Sequence, residues 1–456
     1  MHRPVRCAIA LALVATTAGC ASFRPLPLPS APDLAPNLLD LDTSVPPTAP
    51  QPQPVAIDLR APLSLDAIGW LALLNDPALR SQWGEAAFAQ ASLLQATLLP
   101  NPSVSLGFAA LLGGPGSTPA YTASLSQDIT ALVTYHARVR SAQAELSQVN
   151  AGLLWQEWQV AQKARLLSLD IYWTSRSIAV TRHERDLLSD ELAQAQTATL
   201  AGNLALSALA PLLAAQAAAQ QSLVALNLAR LQDWQALDAL LGLEPSVQFA
   251  IAPPVLHPLP AALAPLIAAL PHTRPDLVAL RLGYRAAEES LRAAILGQFP
   301  AFVLGGSWGS DTTDVQSAGP NVTFDLPVFN RNQGQIAQSR ATRLVLREQY
   351  LSRLDSAVGA IRGLGAQKRR LSDDLTRAQR AASAADRIAA RARAAYGDGN
   401  LDQRSLVDYE TTALQRRLEV IVLHRMIDED RITLGVELGI GLPSARIAPP
   451  DRMALQ

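Results

Sequence analysis

Asn75-Asp76-Pro77-Ala78-Leu79 and Thr273-Arg274-Pro275-Asp276-Leu277 hold matching places in two copies of one unit. The two stretches lie 198 residues apart, and in each copy a second proline, Pro102 or Pro300, follows 25 residues after the first. Three further pairs of landmarks keep a spacing of 198, 197 and 197 residues: Leu106-Gly107 with Leu304-Gly305, Gly202-Asn203-Leu204 with Gly399-Asn400-Leu401, and Leu241-Gly242 with Leu438-Gly439. A register kept over about 165 residues indicates an internal duplication.

Each copy predicts the same order of elements, which is a short helix, two strands and a long helical hairpin. We place repeat 1 over residues 63–245 and repeat 2 over residues 271–443. Within and between them we expect strands at about 102–129 and 301–329, hairpins at about 135–241 and 331–438, a proline-rich linker at 246–270 and a tail at 444–456.

Four segments alternate large apolar side chains with small or polar ones, which is the period of a β-strand. Their apolar positions are Val104, Leu106 and Phe108; Tyr121, Ala123 and Leu125; Phe302, Leu304, Gly306 and Trp308; and Val322, Phe324 and Leu326. Each segment has about ten residues, the length of a tilted strand that crosses a membrane. Two hairpins that cap a soluble helical domain are the alternative interpretation.

The helical hairpins are predicted to be unusually long. Between Tyr135 and Leu200, and between Arg331 and Tyr396, the sequence contains no proline. At about 1.5 Å per residue, each run would extend over roughly 100 Å. The composition, with 49% hydrophobic and only 5% aromatic residues, favours long helices packed along their length rather than a compact soluble domain.

The N-terminus has the layout of a secretory signal peptide, residues 1–19. Arg3 and Arg6 precede the apolar run Ala8–Val14, which is well short of the ~20 residues that a membrane-spanning helix needs. Thr17-Ala18-Gly19-Cys20 resembles a bacterial lipoprotein cleavage box, which implies that Cys20 becomes a lipidated N-terminus in the outer membrane. An ordinary signal peptide with an incidental cysteine is the alternative.

Residues 20–62 are rich in proline and poor in periodicity, so we expect a tether between the lipid and the body of the protein. The only other cysteine, Cys7, lies in the signal peptide. The mature chain should therefore have no disulfide and no thiol chemistry.

Composition and motifs argue against several classes of function. A formal net charge of −1 supplies no basic field for nucleic acid. The six histidines are scattered and no pair has the spacing of metal ligands, so we expect neither a metal site nor a cofactor. No nucleophile elbow and no glycine-rich phosphate loop is present, which makes an enzyme the least favoured interpretation.

Four strands imply an oligomer if they enter a membrane. Backbone polar groups cannot remain unpaired in hydrocarbon, so strands cross a bilayer only as closed barrels. Bacterial barrels begin at about eight strands, and one copy of this chain offers four. At least two subunits must associate, and three would supply twelve strands.

The chain resembles the outer-membrane efflux family typified by TolC. The stretches that carry the resemblance are Asn75-Asp76-Pro77-Ala78-Leu79, Leu98-Leu99-Pro100-Asn101-Pro102, Arg274-Pro275-Asp276-Leu277 and Leu326-Pro327-Val328-Phe329-Asn330-Arg331-Asn332-Gln333-Gly334. The part from Phe329 to Gly334 looks most like the branch that serves heavy-metal resistance pumps.

The resemblance implies an α+β membrane channel, in which a homotrimer forms a twelve-stranded barrel in outer-membrane lipid and long helical hairpins form a periplasmic helical barrel. It also implies two partners, a periplasmic adaptor and an inner-membrane pump, with the RND type expected. The implied function is a passive duct for small molecules or metal ions in a tripartite efflux system. A duct for type I protein secretion and a lipid-anchored periplasmic coiled-coil scaffold are the alternatives.

The resemblance also implies a gate at the hairpin turns, which we place at Gly202 and Gly399. Tyr396 and Asp408 match a gate tyrosine and a gate aspartate of the family, whereas Ser405 and Leu401 depart from its pattern. Trimerisation would bring three copies of Asp408 near one axis and attract cations there. The alternative is a solvated carboxylate in the first turns of a helix.

Overall fold

A computed structural model describes residues 23–45, 55–116, 118–256, 258–260, 262–300 and 302–440. The predicted signal peptide, the lipidation site Cys20, the proline-rich stretch 46–54 and the tail 444–456 lie outside the described residues. Residues 23–34 belong to a separate unit, are exposed and form neither helix nor strand.

The rest of the described chain is built from eight α-helices, two short strands and one four-stranded sheet. The helices are α1 (Leu65–Asn75), α2 (Pro77–Thr97), α3 (Thr130–Leu200), α4 (Leu209–Leu241), α5 (Ala264–Thr273), α6 (Pro275–Leu296), α7 (Gln333–Gly397) and α8 (Gln403–Glu437). The strands are β1 (Ser44–Val45), β2 (Val55–Ala56), β3 (Ser103–Ala109), β4 (Ala120–Asp128), β5 (Phe302–Ser310) and β6 (Gln316–Phe324). This arrangement confirms the predicted α+β class with long helical hairpins and four strands.

The four long strands form one antiparallel sheet in the order β3-β4-β5-β6. Each repeat contributes one hairpin, and β4 of repeat 1 pairs with β5 of repeat 2. The sheet is joined to the helices where the backbone N–H of Ile129 donates to the carbonyl oxygen of Phe302 at 2.8 Å. The duplication is therefore continuous across the middle of the sheet.

The helices pack as two antiparallel hairpins, α3 with α4 and α7 with α8. The 71-residue α3 is central, because it also contacts α1 and α2 of its own repeat and α6 and α8 of the other. We call the contact between α3 and α8 the α3–α8 seam, because it is where the two long hairpins meet. At about 1.5 Å per residue, α3 alone extends over roughly 107 Å.

The start of each repeat packs against the end of its own return helix. Gly242 and Gly439, the two glycines of the Leu-Gly landmarks, have φ of +68° and +71° and terminate α4 and α8. A Cβ at Gly242 would lie 3.2 Å from the carbonyl oxygen of Asn75, and one at Gly439 would lie 3.4 Å from that of Thr273. The landmarks that reveal the duplication in sequence thus meet each other in space.

Part of the predicted tether is folded, which corrects its assignment over residues 20–62. Leu41 is buried in a core with Trp234 and Leu241, and Ile57 and Leu59 pack against the same core. The segment also pairs with the chain near the end of repeat 1, where the Ala35 N–H donates to the Gly242 carbonyl oxygen at 2.9 Å. Apolar residues scattered among prolines carry no helical or strand period, so sequence patterns did not reveal them.

The predicted linker, residues 246–270, is also partly folded. Its first half packs Val247, Phe249 and Ile251 against the core of repeat 1, and its second half contains the start of α5. Prolines within this segment therefore limit its regular structure without preventing burial.

One helical span among the described residues, Leu206–Leu241, is long and apolar enough to cross a membrane by length and composition. It consists of a 3-10 turn and α4, and Pro211 lies in the first turn of the α-helix, where proline is tolerated. Because Leu237 and Leu241 are buried in the core of repeat 1, we assign the span as the return helix of the first hairpin.

Candidate channel site

The register of the sheet separates its side chains onto two faces. Leu106, Ala123, Trp308 and Ala318 are cross-strand partners in one row over the four strands. Partners in a row share a face, and neighbours along a strand alternate. One face therefore carries these large and apolar residues: Val104, Leu106, Phe108, Tyr121, Ala123, Leu125, Phe302, Leu304, Trp308, Val322 and Phe324.

This apolar face is exposed in the single chain. The side chain of Leu106 is 79% exposed, and Val104, Phe108 and Leu125 are also mostly exposed. A contiguous apolar surface on a monomer marks a contact with protein or membrane. An apolar outer band on strands of seven to nine residues fits a tilted crossing of hydrocarbon.

The opposite face carries small and polar side chains. They are Ser103, Ser105 and Gly107; Thr122, Ser124 and Ser126; Gly305, Ser307 and Gly309; and Ser317, Gly319, Asn321 and Thr323. The hydroxyl groups of Ser103 and Ser126 hydrogen-bond across two strands at 2.8 Å. Such a face is suited to contact with water.

Both edges of the sheet are open. Among the described residues, β3 pairs only with β4 and β6 pairs only with β5. Pro320 lies in β6, and an edge strand is a position in a sheet where proline is tolerated. In hydrocarbon these edges would have to pair with strands of another subunit.

The two predicted turn glycines lie at the ends of the hairpins. Gly202 and Gly399 have φ of +75° and +74°, the left-handed region that glycine adopts without strain. The following residues close equivalent turns, because Asn203 N–H donates to the Ala198 carbonyl oxygen and Asn400 N–H to that of Ala395, both at 2.8 Å. The two hairpins therefore turn in the same way.

Tyr396 and Asp408 lie on either side of the second turn. Tyr396 is in the last turn of α7 and Asp408 in the second turn of α8, and both side chains are exposed. Among the described residues no hydrogen bond joins them. Asp402 between them caps α8 and accepts from Ser405 N–H at 2.9 Å and from the Ser405 hydroxyl at 2.7 Å, which lowers the pKa of Asp402.

Two acidic residues near the tip, Glu191 and Glu410, were not identified from the sequence. Arg393 of α7 donates from Nε to Glu410 of α8 at 2.7 Å, and the Glu410 side chain is only 3% exposed. The carboxyl group of Glu410 also lies next to the carboxyl group of Glu191 in α3. Burial, followed by this contact, raises the pKa of Glu191 to about 8.

A second acid pair lies further along the same seam. Asp170 of α3 and Glu429 of α8 share one guanidinium, because Arg425 Nε lies 3.7 Å from Asp170 and 3.0 Å from Glu429. Burial, followed by the interaction with Glu429, raises the pKa of Asp170 to about 7. Asp170 belongs to repeat 1 and Glu429 to repeat 2. Their proximity follows from the register of α3 against α8 and could not be predicted from the sequence of either helix.

The Arg-Pro-Asp motif of repeat 2 has a structural role. The Arg274 guanidinium is buried and donates to both carboxylate oxygens of Asp276, at 2.8 and 3.1 Å. It also pairs with Glu437 of α8 and lies 4.6 Å above the ring of Trp155 in α3. This network joins the start of α6 to both α3 and α8.

The described residues contain no group of three or more histidine, cysteine, aspartate or glutamate side chains able to hold a metal ion. His424 instead stacks on Trp173, with ring centroids 5.6 Å apart. Trp173 also donates from Nε1 to Asp428 at 3.1 Å, so this aromatic residue packs within the α3–α8 seam.

Residues 266–439, which are most of repeat 2, match the model of the outer membrane efflux protein family. No curated protein matches the chain by sequence.

The fold is similar to solved outer-membrane channels. A structure of CusC, from work on its folding and transmembrane channel formation, has a TM-score of 0.70 at 18% identity and covers 90% of this chain and 100% of that one. VceC of Vibrio cholerae has a TM-score of 0.69 at 17% identity and covers 83% of this chain and 96% of that one. The CmeC channel of Campylobacter jejuni has a TM-score of 0.69 at 14% identity, with 94% and 96% covered.

At these identities the structures establish the fold, and the family match covers residues 266–439. The resemblance to TolC-type proteins that the sequence predicted is confirmed at this level. Repeat 2 therefore matches the outer membrane efflux protein family over residues 266–439, and the fold of the solved channels is matched over most of the chain.

Proposed function

We propose that the chain is the outer-membrane channel subunit of a tripartite efflux system, a passive duct from the periplasm to the outside. The observation that carries the proposal is the four-stranded sheet, which has one apolar face, one polar face and two open edges. Each of these features is used when the sheet joins others in a closed barrel around water.

We propose a homotrimer as the assembly. Three copies supply twelve strands, which lies within the range of known bacterial barrels, and the rotation axis gives each β6 a β3 of the next copy to pair with. The helical hairpins of repeats 1 and 2 would then alternate around the same axis. A periplasmic adaptor and an inner-membrane pump of the RND type are the partners that the family resemblance supports.

We propose that Cys20 is lipidated and anchors the N-terminus in the outer membrane. The exposed residues 23–34, which form neither helix nor strand, agree with a tether, and the first backbone pairing with the rest of the chain is at Ala35. Labelling with a radioactive or clickable palmitate, lost in Cys20→Ser, tests the anchor. Labelling that persists in Cys20→Ser would contradict this assignment.

We propose a gate at the tip of the second hairpin, with Tyr396 and Asp408 facing the axis of the trimer. Both side chains are exposed in the single chain and are free to meet their copies. Metal ions and small organic molecules are the proposed cargo, because the stretch from Phe329 to Gly334 resembles the heavy-metal branch. The duct would pass its cargo without chelating it.

Purified protein reconstituted in planar lipid bilayers tests the channel function. We expect trimers after mild solubilisation and stepwise ion conductance. A periplasmic scaffold whose hairpins never enter the membrane predicts protein that extracts without detergent once its lipid anchor is removed, and that never conducts. That result would contradict the proposal.

A further inference from the structure

The α3–α8 seam is joined at two levels by carboxyl groups that contact each other. At the tip, Glu191 of α3 meets Glu410 of α8, and 21 residues away along α3, Asp170 meets Glu429. The sums of the residue numbers, 601 and 599, differ by only two, as expected for one antiparallel register. The two levels are therefore about 30 Å apart on the same pair of helices.

Each level has two carboxyl groups and one adjacent guanidinium. At the tip, the guanidinium is that of Arg393, and Gln403 donates only to the backbone oxygen of Glu191 at 3.3 Å. At the second level it is that of Arg425, and Asp233 of α4 adds a further negative charge. His424 and Asp428 occupy the neighbouring turn of α8 and contact Trp173.

The carboxylate oxygens of Glu191 and Glu410 at the tip could share one proton between them. Within the described part of the chain, Glu191 Oε2 and Glu410 Oε2 are buried and have no hydrogen-bond donor. If both groups were ionised, two carboxylates in contact would face one arginine in a poorly hydrated seam. With one proton between them, the carboxyl groups hydrogen-bond each other and the remaining negative charge is balanced by Arg393.

We propose that the two acid pairs form a proton-operated latch between the hairpin of repeat 1 and the hairpin of repeat 2. With one shared proton at each level the seam is closed. Loss of these protons leaves like charges in contact across the seam and releases α8 from α3. The level of Asp170 and Glu429 should be released first, because the pKa of Asp170 is the lower of the two raised values. The further statement that this latch regulates conductance rests on the proposed channel function.

The direction of the pH dependence follows from the raised pKa values. Free carboxyl groups titrate at about 4, whereas the pKa of Asp170 is raised to about 7 and that of Glu191 to about 8. The closed seam therefore binds more protons than the separated helices between these values. Its stabilisation is complete below about pH 4 and is lost as the pH rises through 7 and 8.

Distance measurements by pulsed electron paramagnetic resonance test the latch in the full-length protein. Spin labels are placed at two exposed positions on the two helices, Gln194→Cys in α3 and Gln415→Cys in α8, and a chain without these cysteines sets the labelling background. We expect one narrow distance distribution at pH 5.5 and a longer, broader one at pH 9. The transition should occur between about pH 4, where free carboxyl groups titrate, and about pH 8, the raised pKa of Glu191.

Two substitutions at adjacent positions separate the latch from a general effect of charge. Glu191→Gln keeps a hydrogen bond to Glu410 without a titrating proton, and we expect it to hold the tip closed at both pH values. Asp190→Asn removes an exposed neighbouring carboxylate and should leave the transition unchanged. Glu410→Gln provides the same test from the other helix if Glu191→Gln fails to fold.

A distance that does not change with pH in the unsubstituted protein would overturn the latch. So would a transition that persists in both Glu191→Gln and Glu410→Gln. Conductance recorded on the same samples distinguishes the two proposals. If the distance between the labels changes with pH but the conductance does not, the latch does not regulate conductance. The same conclusion follows if the conductance changes with pH while the distance stays constant. Absence of conductance at every pH contradicts the channel function alone.

Discussion

Gly305 of β5 lies so close to Leu125 of β4 that a Cβ added at Gly305 would come within 2.7 Å of the Leu125 carbonyl oxygen. The obstruction is backbone, which cannot rotate away as a side chain can. The close approach occurs where the hairpin of repeat 1 joins that of repeat 2, so it constrains the middle of the sheet.

We expect Gly305→Ala to destabilise the sheet by about 1–3 kcal/mol, the usual cost of overpacking. Gly319→Ala is the matched control, because Gly319 lies in β6 with no atom within 4 Å of its added Cβ. Resistance of the assembled protein to heat in detergent measures the effect. Equal heat resistance of the two variants would show that the close approach at Gly305 does not constrain the stability of the sheet.

Leu106 and Ser105 are neighbours in β3 whose side chains lie on opposite faces of the sheet. A lysine on the lipid-facing side costs about 2–4 kcal/mol near the middle of the bilayer, whereas one on the polar side can remain hydrated. We therefore expect Leu106→Lys to prevent assembly in the outer membrane and Ser105→Lys to assemble with altered conductance. Membrane fractionation and gel mobility of unheated samples report assembly. Normal assembly of Leu106→Lys would exclude lipid contact at this position.

Arg274 is the buried charge whose removal should cost most. Arg274→Ala leaves Asp276 and Glu437 without their guanidinium partner, and breaking a buried ion pair in this way costs about 3–5 kcal/mol. Arg292→Ala breaks an exposed pair with Glu289 and should cost about 0–1 kcal/mol. Urea unfolding followed by helical circular dichroism compares them. Similar midpoints for both variants would refute the assigned role of Arg274.

Asp408 is expected to select cations if three copies face one axis. Asp408→Asn should then reduce the preference for potassium over chloride, measured as a smaller reversal potential in a salt gradient. Asp373→Asn removes an exposed carboxylate from α7 and should leave that potential nearly unchanged. An equal shift in both variants would assign the effect to overall charge rather than to a ring of Asp408.

Local patterns predicted the strands well because each strand has two different environments. Alternation at Val104, Leu106 and Phe108 is a direct record of one apolar and one polar face. Asp325 is an exception, since the pattern extended the last strand to include it, whereas β6 ends at Phe324. Leu326 continues the alternation of apolar and polar residues in the sequence, but it lies beyond the last residue of β6 and is not paired with β5.

Contacts between the repeats could not be predicted in the same way. Glu191 and Glu410 are separated by 219 residues and are ordinary acidic residues on amphipathic helices. Their meeting depends on the register of α3 against α8, which no local period encodes. The folded part of the N-terminal segment was not predicted for a related reason. Ala35 and Leu41 contact residues near the end of repeat 1, about 200 residues away in sequence.

The open edges of β3 and β6 affect the life of the chain before it is assembled. The described part of a single chain carries an uncovered apolar face and two unpaired strand edges, which are features that promote aggregation. In the proposed trimer, both would be covered by other subunits and lipid. Assembly of that trimer would therefore compete with aggregation, and the unassembled chain is the form most exposed to it.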